Sequence, residues 1–143
     1  MKPVPRPVRA PAETRSSVEQ SQALALAAAK AGLEKKAMGV EIIDVTGKVD
    51  YADFLVLMTG QSDRHVAAIA DSVDQELAAQ GTEAISVEGL PAAEWVLIDF
   101  VDVVVHVFQR DFRSVYDLDG LWMDARRVPV ADDEGGPSDA ADG

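Results

Sequence analysis

The chain contains no cysteine among its 143 residues. This absence excludes disulfide bonds, zinc sites with thiolate ligands and thiol nucleophiles, and it fits a protein of the reducing cytoplasm. No apolar run reaches the ~20 residues that a membrane-spanning helix needs. The first residues also lack the basic-then-apolar pattern of a secretory signal. We therefore expect a cytoplasmic protein without a membrane partner.

Basic residues are scarce as well, with 13 Lys and Arg against 25 Asp and Glu and a formal net charge of −12. Binding to nucleic acid depends on Lys and Arg releasing counterions from the phosphates. The charge therefore argues against direct, sequence-specific nucleic-acid binding. A basic protein is the partner that such a chain would attract.

The charge is unevenly distributed along the chain. Residues 1–16 hold four basic residues, one acidic residue and four prolines, whereas residues 129–143 hold five acidic residues and no basic one. Both segments have little apolar surface to repay ordering, so we expect a disordered basic tail and a disordered acidic tail. Residues 17–128 are then a single folded domain. That domain keeps a net charge of −10 once the +3 and −5 of the tails are taken from −12.

The stretch EGLPAAEWVLIDFVDVVVHVF at residues 88–108 organises the rest of the chain. Its β-branched and aromatic residues predict two strands of an antiparallel hairpin, Glu94 to Phe100 and Val103 to Gln109. Side chains alternate between the two faces of a strand, and here both faces are largely apolar. We therefore expect the hairpin in the middle of a sheet, covered on two sides or covered on one side with a binding partner on the other.

Two helices and three further strands are predicted around this hairpin. A helix from Val18 to Met38 ends at Gly39, and a helix capped by Ser62 runs to Gln80. The buried stripe of the second helix is Val66, Ile69, Ala70, Val73 and Leu77. The strands are Val40 to Val45, Phe54 to Thr59 and Glu83 to Glu88.

A last helix after Arg110 carries Val115, Leu118, Leu121 and Trp122, which we expect to face the sheet. The order is then α-β-β-α-β-β-β-α, with about five strands and flanking helices. The predicted class is α/β, more narrowly an α+β fold with a mixed sheet.

Several residues allow a catalytic or metal-binding interpretation. His65 and His106 could form a metal pair, but they lack cysteine partners and His-x-x-x-His spacing. Asp99 and Asp102 could bind magnesium, although a turn between strands is also where solvated aspartates occur. A nucleotidyltransferase is the enzymatic alternative, because Gly60-Gln61-Ser62 follows a strand. That reaction needs two carboxylates alternating on one face of the next strand, where Ile85-Ser86-Val87-Glu88 offers a single carboxylate.

We therefore predict no catalytic residue, metal or cofactor. The interaction surface is expected around an aromatic patch of Trp95, Tyr116, Leu121 and Trp122, because Trp and Tyr often dominate interface energies. Asp102, Asp117 and Asp119 would form its acidic rim. Trp122 is expected in the core, whereas Trp95 follows a polar loop and can remain partly exposed.

Four motifs resemble the ribosomal silencing factor family, also called Iojap. They occur in the family's order: TGQSDRHVAAIAD at 59–71, VEGLPAAEWVLIDF at 87–100, DVVVHVF at 102–108 and YDLDGLW at 116–122. The resemblance as a whole covers about residues 23–125. The resemblance implies a nucleotidyltransferase-like fold without its chemistry. It also implies a non-enzymatic factor that binds large-ribosomal-subunit protein number fourteen on the intersubunit face.

Such a factor would obstruct joining of the small subunit and lower translation under nutrient limitation, with a possible role in large-subunit biogenesis. The partner-binding residues predicted on this basis are Trp95, Asp102, His106, Arg113, Tyr116, Leu121 and Trp122. A free aromatic patch also predicts a homodimer.

Two residues depart from the family pattern. Val101 occupies a hairpin-turn position that is usually glycine, and a β-branched residue disfavours a turn that needs positive φ. Gly120 occupies a position that usually favours helix, and it is expected to weaken the last helix by roughly 1 kcal/mol. Both departures concern local geometry and remove no chemical group.

Overall fold

A computed structural model describes residues 17–130, so the tails predicted at 1–16 and over most of 129–143 lie outside the described residues. Ten elements follow one another along this part of the chain. They are α1 (Val18–Glu34), β1 (Met38–Asp44), β2 (Phe54–Gly60), α2 (Asp63–Ala79), β3 (Ser86–Glu88), β4 (Trp95–Asp99), β5 (Val103–Gln109), α3 (Arg110–Tyr116), α4 (Leu118–Leu121) and β6 (Arg127–Val128).

The described strands form one sheet in the order β3-β4-β5-β2-β1-β6. β4 and β5 pair antiparallel, as predicted for the hairpin, and β5 pairs parallel with the fully buried β2. The hairpin lies inside the sheet, between β3 and β2. The predicted mixed sheet with flanking helices is confirmed, and the short strand β6, which pairs with β1, is an addition to the five that were predicted.

Helices α1 and α2 cover one face of the sheet. The buried residues of α2 that were predicted from helical spacing, Val66 to Leu77, are the ones that the structure buries. They join small residues of α1 and the strand residues Phe54, Val56 and Val105 in one apolar cluster. Ser62 caps α2 as predicted, because its side chain accepts the His65 backbone N–H at 3.1 Å.

The opposite face of the sheet carries a smaller apolar cluster. Leu55, Leu57, Val104 and Phe108 form its buried centre, and Trp95, Leu97, Leu118 and Trp122 pack against it while partly exposed. No long helix covers this face in residues 17–130, where the short α3 and α4 follow β5 directly. We call this side of the sheet the open face.

The first helix ends earlier than predicted. It was expected to reach Met38 and to stop at Gly39, but α1 ends at Glu34 and Met38 already belongs to β1. Lys36 adopts a left-handed conformation with φ of 66°, and the Ala37 N–H returns to the Gly32 carbonyl at 3.0 Å. The sequence Lys35-Lys36-Ala37 contains no glycine, so it gave no signal that the helix would end in a left-handed conformation here. The third strand is also shorter than predicted, since β3 begins at Ser86.

The predicted last helix is two helices. Asp117 lies between α3 and α4 with φ of 52°, and its Oδ1 accepts the Gly120 N–H at 3.0 Å. This hydrogen bond starts a new helix instead of continuing the old one. A Cβ at Gly120 would lie 2.3 Å from Asp117 Oδ2. Gly120, expected only to weaken a helix, therefore leaves room for the cap that starts α4.

The hairpin turn needs the conformation that Val101 disfavours. Val101 has φ of 80°, and its N–H donates to Asp99 Oδ1 at 2.8 Å. The turn interpretation of Asp99 is thus supported by a hydrogen bond. Asp99 and Asp102 are nevertheless buried, so the expectation of solvated aspartates is wrong. The Asp102 carbonyl also accepts the Asp53 N–H at 2.7 Å, which holds the turn against the start of β2.

Candidate functional site

An aromatic cluster occupies the open face near the end of β5. Trp95 on β4 stands opposite Phe108 on β5, because these residues pair in the antiparallel register. The ring centroids of Trp95 and Phe108 are 5.2 Å apart, and those of Trp95 and Tyr116 are 4.4 Å apart. Phe112 extends the cluster to 6.5 Å from Tyr116. Because α3 follows β5 without a loop, Tyr116 returns over the strand from which its helix starts.

His106 lies under this cluster and is buried. It stands between Leu97 of β4 and Leu57 of β2, and its Nδ1 accepts the Trp95 Nε1–H at 2.9 Å. Burial lowers the pKa of His106 to about 4, so the ring is neutral near pH 7. Because Nδ1 is the acceptor, the single ring proton lies on Nε2. His106 was predicted as a partner-binding residue, and the structure places it beneath Trp95.

Arg113 attaches the two short helices to the sheet. Its Nε and Nη2 donate to the Asp119 carboxylate at 3.0 and 2.8 Å, and its Nη1 donates to Thr59 Oγ1 at 2.9 Å and to the Gly39 carbonyl. These bonds hold the pKa of Asp119 below its ordinary value. Asp119 was expected on the acidic rim, but Arg113 neutralises it. A Cβ at Gly39 would lie 2.8 Å from Arg113 Nη1, so glycine permits this approach.

Four exposed side chains of α3, α4 and the turn after them are apolar or aromatic. Val115 is 68% exposed, Leu121 65%, Met123 78% and Tyr116 42%. The expectation that Val115 and Leu121 face the sheet is therefore wrong. The break at Asp117 changes the direction of the chain, so the spacing of a single helix does not apply beyond Tyr116. Leu118 and Trp122 do pack against the open-face cluster.

The two tryptophans are more alike than predicted. Trp95 was expected at the rim and Trp122 in the core, yet both are half-buried and pack against the same apolar cluster. The aromatic patch of Trp95, Tyr116, Leu121 and Trp122 thus combines half-buried rings with exposed side chains. Met123 and Val115 are also exposed and next to patch residues in the chain, and their exposure was not predicted.

Asp102 does not lie with the aromatic patch. It precedes β5, whereas Trp95 stands opposite Phe108 near the end of that strand. Six residues of extended strand separate Asp102 from Phe108, a distance of roughly 20 Å. Asp102 lines a recess with Gln20, Ser21 and Thr82 on the side of α1 and α2. Of the predicted rim, Asp117 is close in the chain to the patch and has no basic partner among residues 17–130, and its side chain caps α4.

The two histidines are separate and have different partners. His65 Nδ1 accepts the Gln61 N–H at 2.9 Å, and its Nε2 lies 2.7 Å from the Lys35 carbonyl, so this ring links α2 to the end of α1. In residues 17–130 no three His, Asp or Glu side chains converge as a metal site would require. The Gly60-Gln61-Ser62 junction is closely packed, since a Cβ at Gly60 would lie 2.9 Å from the Val66 nitrogen.

No helix among the described residues has the length and hydropathy to cross a membrane.

Known proteins are similar to this chain in sequence and in fold. A family model described as ribosomal silencing factor during starvation matches residues 18–142. Ribosomal silencing factor RsfS of Bacillus subtilis is 39% identical over 115 residues, which cover 80% of this chain and 94% of that protein. A crystal structure of a Chromobacterium violaceum protein has a TM-score of 0.71 at 32% identity, and the match covers 78% of this chain and 92% of that one.

A more distant relative is the mouse protein named mitochondrial assembly of ribosomal large subunit protein 1. It is 27% identical over 92 residues, which cover 62% of this chain and 40% of the mouse protein. The four motifs that first suggested a family lie within the segment that the family model matches. The chain therefore belongs to the ribosomal silencing factor family.

Proposed function

We propose that this protein binds large-ribosomal-subunit protein number fourteen on the intersubunit face and so prevents the small subunit from joining. Translation would fall under nutrient limitation, in the cytoplasm, without any enzymatic step by this protein. The family's description as a silencing factor during starvation supports the physiological part. A further role in large-subunit biogenesis is supported by the printed name of the mouse relative.

The observation that carries this proposal is the aromatic patch on the open face. A half-buried Trp95 in contact with an exposed Tyr116 has the composition of an interface centre, where aromatic residues are enriched. The exposed Leu121 and Met123 add apolar surface on the adjoining α4 and the turn after it. In the same part of the molecule Arg113 fixes α3 and α4 to the sheet. A partner would thus meet a largely pre-formed surface.

Charge favours a basic partner for the same surface. The part of the chain between the two tails has a net charge of −10. Asp111, Asp117 and Asp124 are exposed on α3, between α3 and α4, and after α4. Complementary charge speeds encounter and disfavours wrong partners, although it adds less to affinity than apolar anchors do. A basic ribosomal protein fits both the aromatic centre and the acidic surroundings.

A sucrose gradient tests the proposal. Tagged protein added to a ribosome preparation should sediment with free large subunits and reduce the fraction of joined ribosomes. Absence of the protein from every ribosomal fraction would remove the proposal. Presence only with small subunits would do the same.

A matched pair of variants tests the surface. Leu121→Ala should weaken binding to purified large-ribosomal-subunit protein number fourteen by about tenfold or more, as truncation of an interface anchor does. Ile85→Ala is the control, because Ile85 is 55% exposed and lies before β3, away from α3 and α4. Equal effects of the two substitutions would show that the partner binds elsewhere.

We also propose that the free protein forms a homodimer through the aromatic patch. Exposed apolar surface of this kind favours self-association when the partner is absent. Self-association and ribosome binding would then compete, and Leu121→Asp should shift the protein to a monomer. Light scattering that gives a monomer at every accessible concentration would contradict the dimer.

A further inference from the structure

The Trp95 indole is held by a buried acceptor. Its Nε1–H donates to His106 Nδ1 at 2.9 Å, across two neighbouring antiparallel strands. Trp95 and His106 are diagonal neighbours on the open face, since Trp95 pairs with Phe108 and His106 pairs with Leu97. Diagonal neighbours on one face are within reach of aromatic side chains. The contact is therefore a product of strand register.

The surroundings of His106 make it a dependable acceptor. Leu97 and Leu57 flank the ring on the adjacent strands, and Val104 and Phe108 are its neighbours along β5 on the same face. Burial among these apolar residues keeps the imidazole neutral near pH 7. A neutral ring with its proton on Nε2 always presents the Nδ1 lone pair to the indole. Protonated histidine has no acceptor and could not do so.

We propose that His106 is a positioning residue, which fixes the Trp95 indole in the orientation that the partner recognises. This inference rests on the proposed function. Without the acceptor, the indole N–H would turn to water, and the ring would leave its position stacked on Phe108 and tilted against Tyr116. A partner would then have to order the ring on binding, which lowers affinity because ordering an interface side chain costs free energy.

The chain offers a direct spectroscopic readout, because it contains two tryptophans. A ¹⁵N–¹H spectrum has one indole signal for each, and Trp95→Phe identifies which signal belongs to Trp95. Hydrogen exchange of the Trp95 indole N–H then reports its hydrogen bond. The measurement needs neither a ribosome nor a partner.

Two substitutions of similar size isolate the acceptor. His106→Asn retains an oxygen at the position of Nδ1, whereas His106→Leu has nearly the same shape and no acceptor. We expect the Trp95 indole N–H to exchange at least about tenfold faster in His106→Leu than in the wild type, and His106→Asn to restore most of the protection. The dissociation constant for large-ribosomal-subunit protein number fourteen should rise about tenfold for Leu and about threefold or less for Asn.

The order of partner binding by the two variants separates a positioning role of His106 from a merely structural one. Leu suits the apolar surroundings at least as well as Asn does, so a structural role predicts that the Leu variant binds as well as the Asn variant or better. Positioning predicts the reverse order for binding. If His106→Leu loses cooperative unfolding, His106→Ile, which also has no acceptor, replaces it and is compared with His106→Asn for indole exchange and partner binding in the same way.

The failures are distinguishable. Equal indole exchange in the wild type and His106→Leu would overturn the positioning role, and so would unchanged partner binding by His106→Leu. Absence of any partner binding by the wild type would overturn the proposed function and the recognition part of this inference with it.

Discussion

His106 gives the fold a specific sensitivity to acid. Its pKa is lowered to about 4 in the folded protein, against 6.5 in the unfolded chain. Between these values the unfolded chain takes up a proton that the folded chain does not, so acidification favours unfolding. We expect stability to be full above about pH 6.5 and to fall by about 3 kcal/mol as the pH approaches 4.

Urea unfolding at a series of pH values measures this slope. His106→Leu is the control, because it removes the titrating group and should flatten the curve in this window. Carboxylates such as Asp119, whose pKa is lowered, act at the acid end, since their contribution is lost as the pH falls through their lowered values. A wild-type slope that persists in the His106→Leu variant would show that another group is responsible.

Val101 is a residue at which the sequence works against the fold. A β-branched residue at φ of 80° is strained, and the turn between β4 and β5 requires that conformation. Val101→Gly should stabilise the protein by about 1 kcal/mol in urea unfolding. Val101→Ala keeps the Cβ and should gain less than half as much. A Gly variant less stable than the wild type would mean that contacts of the valine outweigh the strain.

The two short helices depend on Arg113. Replacing it with lysine keeps the charge but removes the planar guanidinium group, which donates to Asp119 and to Thr59 at the same time. Arg113→Lys should cost about 1 to 2 kcal/mol and increase amide exchange in α3 and α4 before other elements. Arg126→Lys is the control, because Arg126 pairs with Asp44 while its side chain is 58% exposed, and surface pairs contribute less than about 1 kcal/mol. Uniform exchange across the fold in Arg113→Lys would contradict a local attachment.

The elements that were predicted well have strong periodicity. The buried residues of α2 recur every three or four positions, and β5 is apolar on both faces. In both elements the residues that the sequence pattern marks as apolar are the ones that the fold buries. Predictions failed where one backbone angle decides the path. Lys36 ends α1 and Asp117 divides the last helix, both through positive φ. Neither residue is a glycine, and the spacing of apolar residues does not reveal a single residue with positive φ.

The candidate site was predicted in part for the same reason. Trp95 and Tyr116 were identified by residue type, and the structure brings them together. The surroundings of Asp102 depend on strand register, whereas those of Asp119 depend on one ion pair between two short helices. Asp119 finds Arg113 six residues earlier in the chain, whereas Asp102 lies at the far end of β5. An aspartate that is close in sequence to an aromatic residue of the patch therefore need not lie at the rim of the patch as a free charge.

At the scale of the whole molecule, we predict that the tails are dispensable for folding. Within residues 17–130 the two apolar clusters already contain both faces of the sheet, and Val130 packs against the cluster under α1 and α2. A truncated chain should therefore end at 130 instead of the predicted boundary at 128. It should unfold cooperatively with a free energy within about 0.5 kcal/mol of the full chain. Circular dichroism with urea measures this, and a broad transition would contradict it.

The same truncated chain tests what the tails add to binding. We expect it to sediment with large subunits as the full chain does. A large loss of binding on removing residues 1–16, whose net charge is +3, would instead indicate contact with ribosomal RNA.

The parallel pairing of β2 with β5 also constrains when the protein becomes able to act. Phe54 pairs with Val103 and Gly60 with Gln109, a constant separation of 49 positions. During synthesis β2, which is apolar on both faces, therefore cannot pair with β5 until β5 has left the exit tunnel. The aromatic patch is complete only after Trp122 has followed. A nascent copy therefore presents the complete aromatic patch only after nearly all of its folded part has been translated.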